Sequence, residues 1–173
     1  MDDVENILYQ RVSSVAVPMF DEHHRRLADA VLLLNRCILM SHFKSREETY
    51  EEFKKNFSLI KDYLFVHFTC EEAFMGFIQF PDLENHKKRH QNFTLEMMRI
   101  RETVSVDDLS QIADMAWFLF SWLIGHINVE DIQYRKIFKV PDLIDFIDTY
   151  KGKTQLVKPD FSRTRMLLDL IGI

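Results

Sequence analysis

The sequence predicts an all-α fold, an up-down-up-down four-helix bundle with a short C-terminal helical extension. A chain of 173 residues is long enough for one domain with a real core. Hydrophobic residues make up 47% of it, including 15 Phe, whereas Gly and Pro occur only 4 times each. This composition favours long helices with few turns. Four segments repeat apolar residues at the helical period and are separated by short connections, which is typical of such bundles.

The predicted bundle covers residues 1–141 and begins with an irregular arm over residues 1–20. Pro18 indicates a turn, and Asp21 is a favoured N-cap residue, so the first helix is expected from about Glu22 to Met40. The second helix is expected from Arg46 to about Phe77. It should end near Gly76 and be closed by Pro81.

The third helix is expected from Leu83 to about Val104, and the fourth from just after Asp108 to about Lys139, before Pro141. Residues 142–173 form the predicted extension, with short helices over 142–150 and 162–171. No residue pattern in it indicates chemistry. We expect it to pack on the bundle or on a partner, either another protein or a second copy of the chain.

Metal-capable side chains occur within all four predicted helices. They are His24, His67, Glu71, His86, His90, His126 and Asp131. Residues four apart share one helix face, so His67 with Glu71, and His86 with His90, can each point at one spot. Their neighbours along each stripe are apolar, which indicates that these faces are buried.

Five of the seven histidines in the chain lie on such faces. Each could be an ordinary core histidine that is hydrogen-bonded to a neighbour, which is the usual case for a single residue. Five together with two buried carboxylates are harder to satisfy in that way. A central cation would satisfy all seven at once, although imidazole donors alone suit iron, copper, nickel or zinc.

From Pro18 to Phe138 the chain resembles the haemerythrins, and more closely their bacterial branch. The resemblance is carried by Phe20-Asp21-Glu22-His23-His24-Arg25-Arg26-Leu27, by His67-Phe68-Thr69-Cys70-Glu71-Glu72, by Phe80-Pro81-Asp82-Leu83 leading to His86 and His90, and by Trp122-Leu123-Ile124-Gly125-His126-Ile127 leading to Asp131. It implies a non-haem di-iron centre with an oxo or hydroxo bridge. One iron would be held by His86, His90 and His126, the other by His24 and His67, with Glu71 and Asp131 bridging both.

The second iron would then be one ligand short, and an open position can take a small molecule. The resemblance implies that this molecule is dioxygen, bound reversibly for storage, transport or delivery. The apolar residues expected around the oxygen pocket are Leu27, Phe68, Trp122 and Leu123. Enzymatic activity is not expected, because imidazoles outnumber carboxylates five to two, whereas di-iron oxidases use carboxylate-rich sites.

Two other functions stay open. The same centre could serve an oxygen- or redox-sensing module with the C-terminal extension as its output surface, or it could act as a di-iron peroxidase or oxidase. Reversible binding without consumption of oxygen would exclude the last of these.

Two ligand positions are ambiguous in the sequence. Four residues after His126 an ideal helix places Glu130 nearly in line with it, whereas Asp131 points about 140° away. The resemblance selects Asp131, which requires a looser turn such as a π-bulge, or an aspartate that reaches in from the side. On the first helix, position 23 is usually Gln in the bacterial members. We take His24 as the ligand and expect His23 on the outer face.

Several partners and compartments are not expected. The net charge of −5 disfavours nucleic-acid binding, and the most apolar segment, 115–124, looks too short to cross a membrane. Residues 1–5 are acidic, unlike a secretory leader. Two cysteines give no disulfide framework, so we expect a cytoplasmic protein.

Overall fold

The computed structural model describes residues 11–151. Within them lie α1 (Pro18–Met40), α2 (Arg46–Phe77), α3 (Leu83–Thr103), α4 (Gln111–Val129) and α5 (Val140–Lys151), with short 3₁₀ helices at Ser41–Phe43 and Asp131–Lys136. Helix α1 packs against α2 and α4, and α3 packs against the same two helices. The four long helices therefore form a closed ring in chain order, which confirms the predicted all-α bundle.

Helix α1 begins at Pro18, four residues before the predicted start, with Val17 as its N-cap. Proline suits the first helical position because its φ is fixed and its missing N–H would have no partner there. Asp21 is therefore not the N-cap, and that prediction was wrong. Its carboxylate instead accepts hydrogen bonds from the Val15 N–H at 2.8 Å and the Ser14 hydroxyl at 2.7 Å, which fixes the incoming chain.

Helix α2 begins with a capping box. The Ser45 hydroxyl accepts the Glu48 N–H at 3.1 Å, and the Glu48 carboxylate accepts the Ser45 N–H at 2.8 Å. These two bonds satisfy backbone and side-chain groups that the first turn would otherwise leave unpaired.

Helix α2 ends in a Schellman motif. The Phe80 N–H bonds to the Met75 carbonyl at 2.8 Å, and the Gln79 N–H bonds to the Gly76 carbonyl at 3.2 Å. The left-handed position of this motif, usually a glycine, is taken by Gln79 with φ 53°. Gly76 lies inside the last helical turn, so the glycine in the sequence marks the region of the helix end but not the terminating residue.

Helix α4 ends at Val129, ten residues before the predicted end. The Glu130 N–H still bonds to the His126 carbonyl at 2.7 Å, four residues back, whereas the Gln133 N–H bonds to the Glu130 carbonyl at 3.0 Å, three residues back. The chain therefore tightens into the 3₁₀ helix Asp131–Lys136. The expected looser turn or π-bulge was wrong.

The helical segment Gln111–Lys136 has 26 residues and a mean hydropathy of 1.3 over its most apolar window, so by length and composition it could cross a membrane. The prediction that the most apolar segment, residues 115–124, is too short to cross a membrane was therefore wrong about length. The core helix of a bundle meets the same test. In the bundle α4 buries Ile112, Met115, His126 and Ile127.

Internal contacts divide the chain between Ile137 and Phe138, whereas the sequence placed the boundary after Pro141. The earlier boundary follows from the 3₁₀ helix, which ends the bundle at Lys136. Helix α5 belongs to the second unit and includes the short helix predicted over 142–150. The helix predicted over 162–171 lies outside the described residues, and the packing of the extension stays a prediction.

Replacing Gln79 by glycine should stabilise the protein. Gln79 is exposed and holds a left-handed conformation that costs an L-residue about 1 kcal/mol or more, part of which the greater freedom of unfolded glycine cancels. We expect Gln79→Gly to raise the free energy of unfolding by about 0.5 to 1 kcal/mol in urea titrations. Gln91→Gly, at an exposed position inside α3, is the control and should lower it by about 1 kcal/mol. A loss of stability in Gln79→Gly would contradict the assigned helix end.

Candidate metal centre

Seven side chains that could bind metal meet at the centre of the bundle. Each is 5% exposed or less, and they are the seven predicted from the sequence: His24 from α1, His67 and Glu71 from α2, His86 and His90 from α3, His126 from α4 and Asp131 from the 3₁₀ helix. The spacing of four residues on α2 and on α3 turns each pair to one side of its helix. The tertiary structure then brings the four faces together.

The ligand atoms form two groups that share one carboxylate. In the first group, atoms of Glu71, His86, His90 and His126 all lie within 4.8 Å of one another. In the second, the same holds for His24, His67, Glu71 and Asp131. The first group contains three imidazoles and the second only two.

The two carboxylate oxygens of Asp131 face different groups. Oδ1 lies 3.0 Å from Nε2 of His126 and 3.5 Å from Nε2 of His86. Oδ2 lies 3.4 Å from Nε2 of His24. Asp131 therefore spans the two groups, as a bridging ligand between two ions would.

The polar atoms at this centre are poorly satisfied by the protein. Both oxygens of Asp131 and Nε2 of His24 are buried without a hydrogen-bond partner among the described residues. Nε2 of His90 and Nε2 of His126 lie 2.9 Å apart, so one ring can donate its proton to the other, and this pair is satisfied without a metal ion. Separations near 3 Å are those expected between adjacent ligands around an ion at about 2 Å. The donor set thus fits metal ions better than it fits internal hydrogen bonding.

The carboxylates at the centre favour their charged form. Burial alone would raise the pKa of Glu71, but His67 and hydrogen bonds from His86 and His90 outweigh it and hold that pKa well below its usual range. The pKa of Asp131 is also lowered, because His126 and His24 outweigh burial and the nearby Glu71. Ionised carboxylates are the form that binds cations.

The pKa values of the histidines at the centre shift in different directions, according to their neighbours. Burial lowers the pKa of His67 well below 6.5 despite the nearby Glu71, so this ring is neutral and can donate a lone pair. Burial also opposes the charge on His90, but hydrogen bonds with Glu71 and Glu72 raise its pKa. Bound metal would displace that proton.

The end of α4 decides between Glu130 and Asp131. Asp131 is fully buried at the centre, whereas the Glu130 carboxylate lies 2.8 Å from the Arg89 guanidinium. Helical phase alone selected Glu130, which was wrong because α4 stops at Val129 and the tighter turn brings Asp131 inward.

His23 does not lie on the outer face as predicted. Its ring packs edge-on against Tyr63 and His67, with centroids 5.7 and 5.6 Å apart, and its Nδ1 is buried. Burial lowers the pKa of His23 to about 4. The sequence could not show that His23 is covered, because this depends on α1 packing against both α2 and α4.

Two further residues hold the candidate ligands. The Tyr134 hydroxyl donates to Oε1 of Glu71 at 3.0 Å, and Oε1 of Glu72 lies 2.8 Å from Nδ1 of His90. Such outer partners fix the orientation of metal-binding side chains. Neither partner was predicted from the sequence, although Glu72 directly follows a predicted ligand.

Of the four residues predicted for the oxygen pocket, two aromatic ones contact candidate ligands. Leu27, Phe68 and Leu123 are buried, and Trp122 is half-buried. The Phe68 ring stacks on His90 with centroids 3.8 Å apart, and the Trp122 ring stacks on His126 at 4.1 Å. The Phe68 ring also lies 5.6 Å from the His67 ring, so Phe68 contacts a ligand of each group, whereas Trp122 covers the three-histidine side.

Comparison with known proteins gives one consistent family. A family model described as "Hemerythrin HHE cation binding domain" matches residues 15–137. The chain is 27% identical to a myohemerythrin of Theromyzon tessulatum over 134 residues, covering 78% of this chain and 88% of that protein. It is 25% identical to a bacteriohemerythrin of Clostridium acetobutylicum over 122 residues, covering 69% and 92%. A hemerythrin-like protein of Naegleria gruberi is 26% identical over 106 residues, covering 52% and 82%.

These identities are nearly equal, so the bacterial branch stays a prediction. No solved structure matches the chain.

Replacing Tyr134 by phenylalanine should weaken metal retention without unfolding the bundle. The ring stays in the core, but Glu71 loses its hydrogen-bond donor. For protein loaded with a divalent metal ion, we expect loss to a chelator to be about tenfold faster, as is usual for an outer partner of a ligand. Tyr50→Phe, at a half-buried position of α2, is the control. Equal rates in the two variants would show that Tyr134 does not hold Glu71.

The metal-free protein should lose stability as the pH falls below about 6.5. The folded pKa of His67 is depressed, so the unfolded chain takes up a proton there that the folded chain cannot. This uptake contributes a slope of up to about 1.4 kcal/mol per pH unit below the unfolded pKa. Denaturant titrations at several pH values should show a shallower slope for His67→Gln than for the exposed control His42→Gln. Identical slopes would contradict a buried neutral His67.

Proposed function

The chain belongs to the haemerythrin family, and we propose that it binds dioxygen reversibly at a pair of iron ions, for storage, transport or delivery. The observation that carries this proposal is the unequal division of imidazoles around the shared carboxylates. Three histidines lie on one side of the centre and two on the other. Two ions held in this way would leave one position that the protein does not fill, and such a position could take a small molecule.

Each side chain then has a role. His86, His90 and His126 would hold one iron, His24 and His67 the other, while Glu71 and Asp131 would bridge them together with an oxo or hydroxo group. Bound ferrous ions would supply the electrons that dioxygen takes up on binding and returns on release. The protein's own part is to fix the ligands and to leave the two-histidine side one ligand short.

The net charge supports burial of this assembly. Two divalent ions bring four positive charges, the two carboxylates return two, and a bridging hydroxide returns a third. The centre would thus be close enough to neutral to lie in an apolar core. Iron is chosen by family membership, because the donors alone also suit copper, nickel and zinc.

The walls of the centre favour binding of dioxygen over its consumption. Leu27, Phe68, Trp122 and Leu123 are proposed to line the oxygen pocket and to limit the access of water and protons, which promote irreversible oxidation of iron. The imidazole-rich donor set has the same effect, since carboxylate-rich di-iron sites are those used for oxidation chemistry. We therefore propose a binding protein and not an enzyme.

Anaerobic reduction followed by air tests this proposal. The iron-loaded protein should contain two irons per chain and develop near-ultraviolet and visible charge-transfer bands with oxygen that disappear on deoxygenation. His67→Leu should lose the iron of the two-histidine side and these bands, whereas His42→Leu should keep both. Bands that survive unchanged in His67→Leu would contradict the assignment. Steady consumption of oxygen or peroxide with an electron donor would favour a di-iron enzyme.

A further inference from the structure

Two adjacent carboxylates, Glu130 and Asp131, follow the ligand His126 at the end of α4. On a continued helix, Glu130 would lie within about 40° of His126 and would face the centre first. Its side chain is also longer by one methylene. The chain therefore carries a competitor immediately beside a residue that the centre requires.

In the structure, the Glu130 carboxylate forms an ion pair with Arg89. One guanidinium nitrogen of Arg89 lies 2.8 Å from the Glu130 carboxylate and 2.6 Å from the Asp82 carboxylate. Asp82 is the N-cap residue of α3, and Arg89 directly precedes the ligand His90 on the same helix. Arg89 thus joins the start of α3 to the end of α4.

We propose that Arg89 is a positioning residue that holds Glu130 away from the interior, so that Asp131 alone enters the centre. This inference rests on the proposed paired metal site. The ion pair of Glu130 with α3 favours an end of helix α4 at Val129, and the 3₁₀ turn that follows brings Asp131 inward. Without Arg89, Glu130 would lose its ion-pair partner and, being next to Asp131 in the chain, would compete with it for a metal ion.

A stabilising role is a poor alternative explanation. The side chains of Arg89 and Glu130 are 34% and 29% exposed, and ion pairs near the surface contribute only about 0 to 1 kcal/mol to folding. Arg99 offers a matched control on the same helix, because it forms a similar pair with Glu96 at 2.6 Å, away from the centre.

Four variants test the inference: Arg89→Ala, Glu130→Gln, the double variant of these two, and Arg99→Ala. Each is loaded with iron, and both the metal content per chain and the rate of metal loss to a chelator are measured. Arg89→Ala should lose metal about tenfold faster than the intact protein. The rate of metal loss in the double variant should be within about twofold of that in Glu130→Gln, because a neutral amide competes poorly for a cation. Arg99→Ala should match the intact protein.

Hydrogen exchange in the metal-free protein gives a readout that does not depend on the ions. Arg89→Ala should accelerate exchange of the Glu130 and Gln133 amides, which form the bonds at the end of α4, by about threefold to fivefold relative to Arg99→Ala.

The outcomes separate the two proposals. Failure of the intact protein to bind two metal ions, with the exchange result as expected, would overturn the proposed function and leave the effect of Arg89 on the helix end standing. Metal loss in Arg89→Ala equal to that in Arg99→Ala would overturn the role of Arg89. So would a double variant that remains as impaired as Arg89→Ala, or unchanged exchange.

Discussion

The structure depends on the burial of two ionised carboxylates among five imidazoles in an otherwise apolar bundle. Uncompensated charges in such a place are very costly, and internal hydrogen bonds leave both oxygens of Asp131 without a partner. Cations bound at the two groups would remove this cost. The helices that carry the donors are thereby coupled, because every one of the four contributes at least one side chain. We infer that metal binding and the stability of the folded bundle are linked.

The same centre explains the irregular end of α4. A continuous helix would present Glu130, and the observed 3₁₀ turn presents Asp131, whose oxygens reach both groups. The surrounding residues reinforce this arrangement through bonds that cross between helices, from Tyr134 to Glu71 and from Arg89 to Glu130. The departure from α-helix geometry therefore lies where one carboxylate has to reach both ligand groups, and such departures are common at functional sites.

Sequence patterns predicted the four long helices well and their ends poorly. The interior of a helix is predicted from apolar periodicity, a pattern to which many residues contribute. The end of a helix, in contrast, depends on one or two residues. Pro18 was taken as a turn before the helix and proved to be its first residue. The left-handed residue after α2 proved to be Gln79 and not a glycine. In both cases several local solutions are close in energy, and the contacts of the folded chain select one.

The sequence by itself determined the all-α bundle and most of the candidate ligands, because helical spacing dictates which residues share a face, and the family resemblance in the sequence added Asp131. Only the tertiary structure decided how those faces meet: that the donors divide into groups with three and two imidazoles, that His23 lies against His67, and that Glu130 turns outward to Arg89. These features depend on contacts between residues far apart in the chain. Periodicity within one helix carries no information about the helix that will face it.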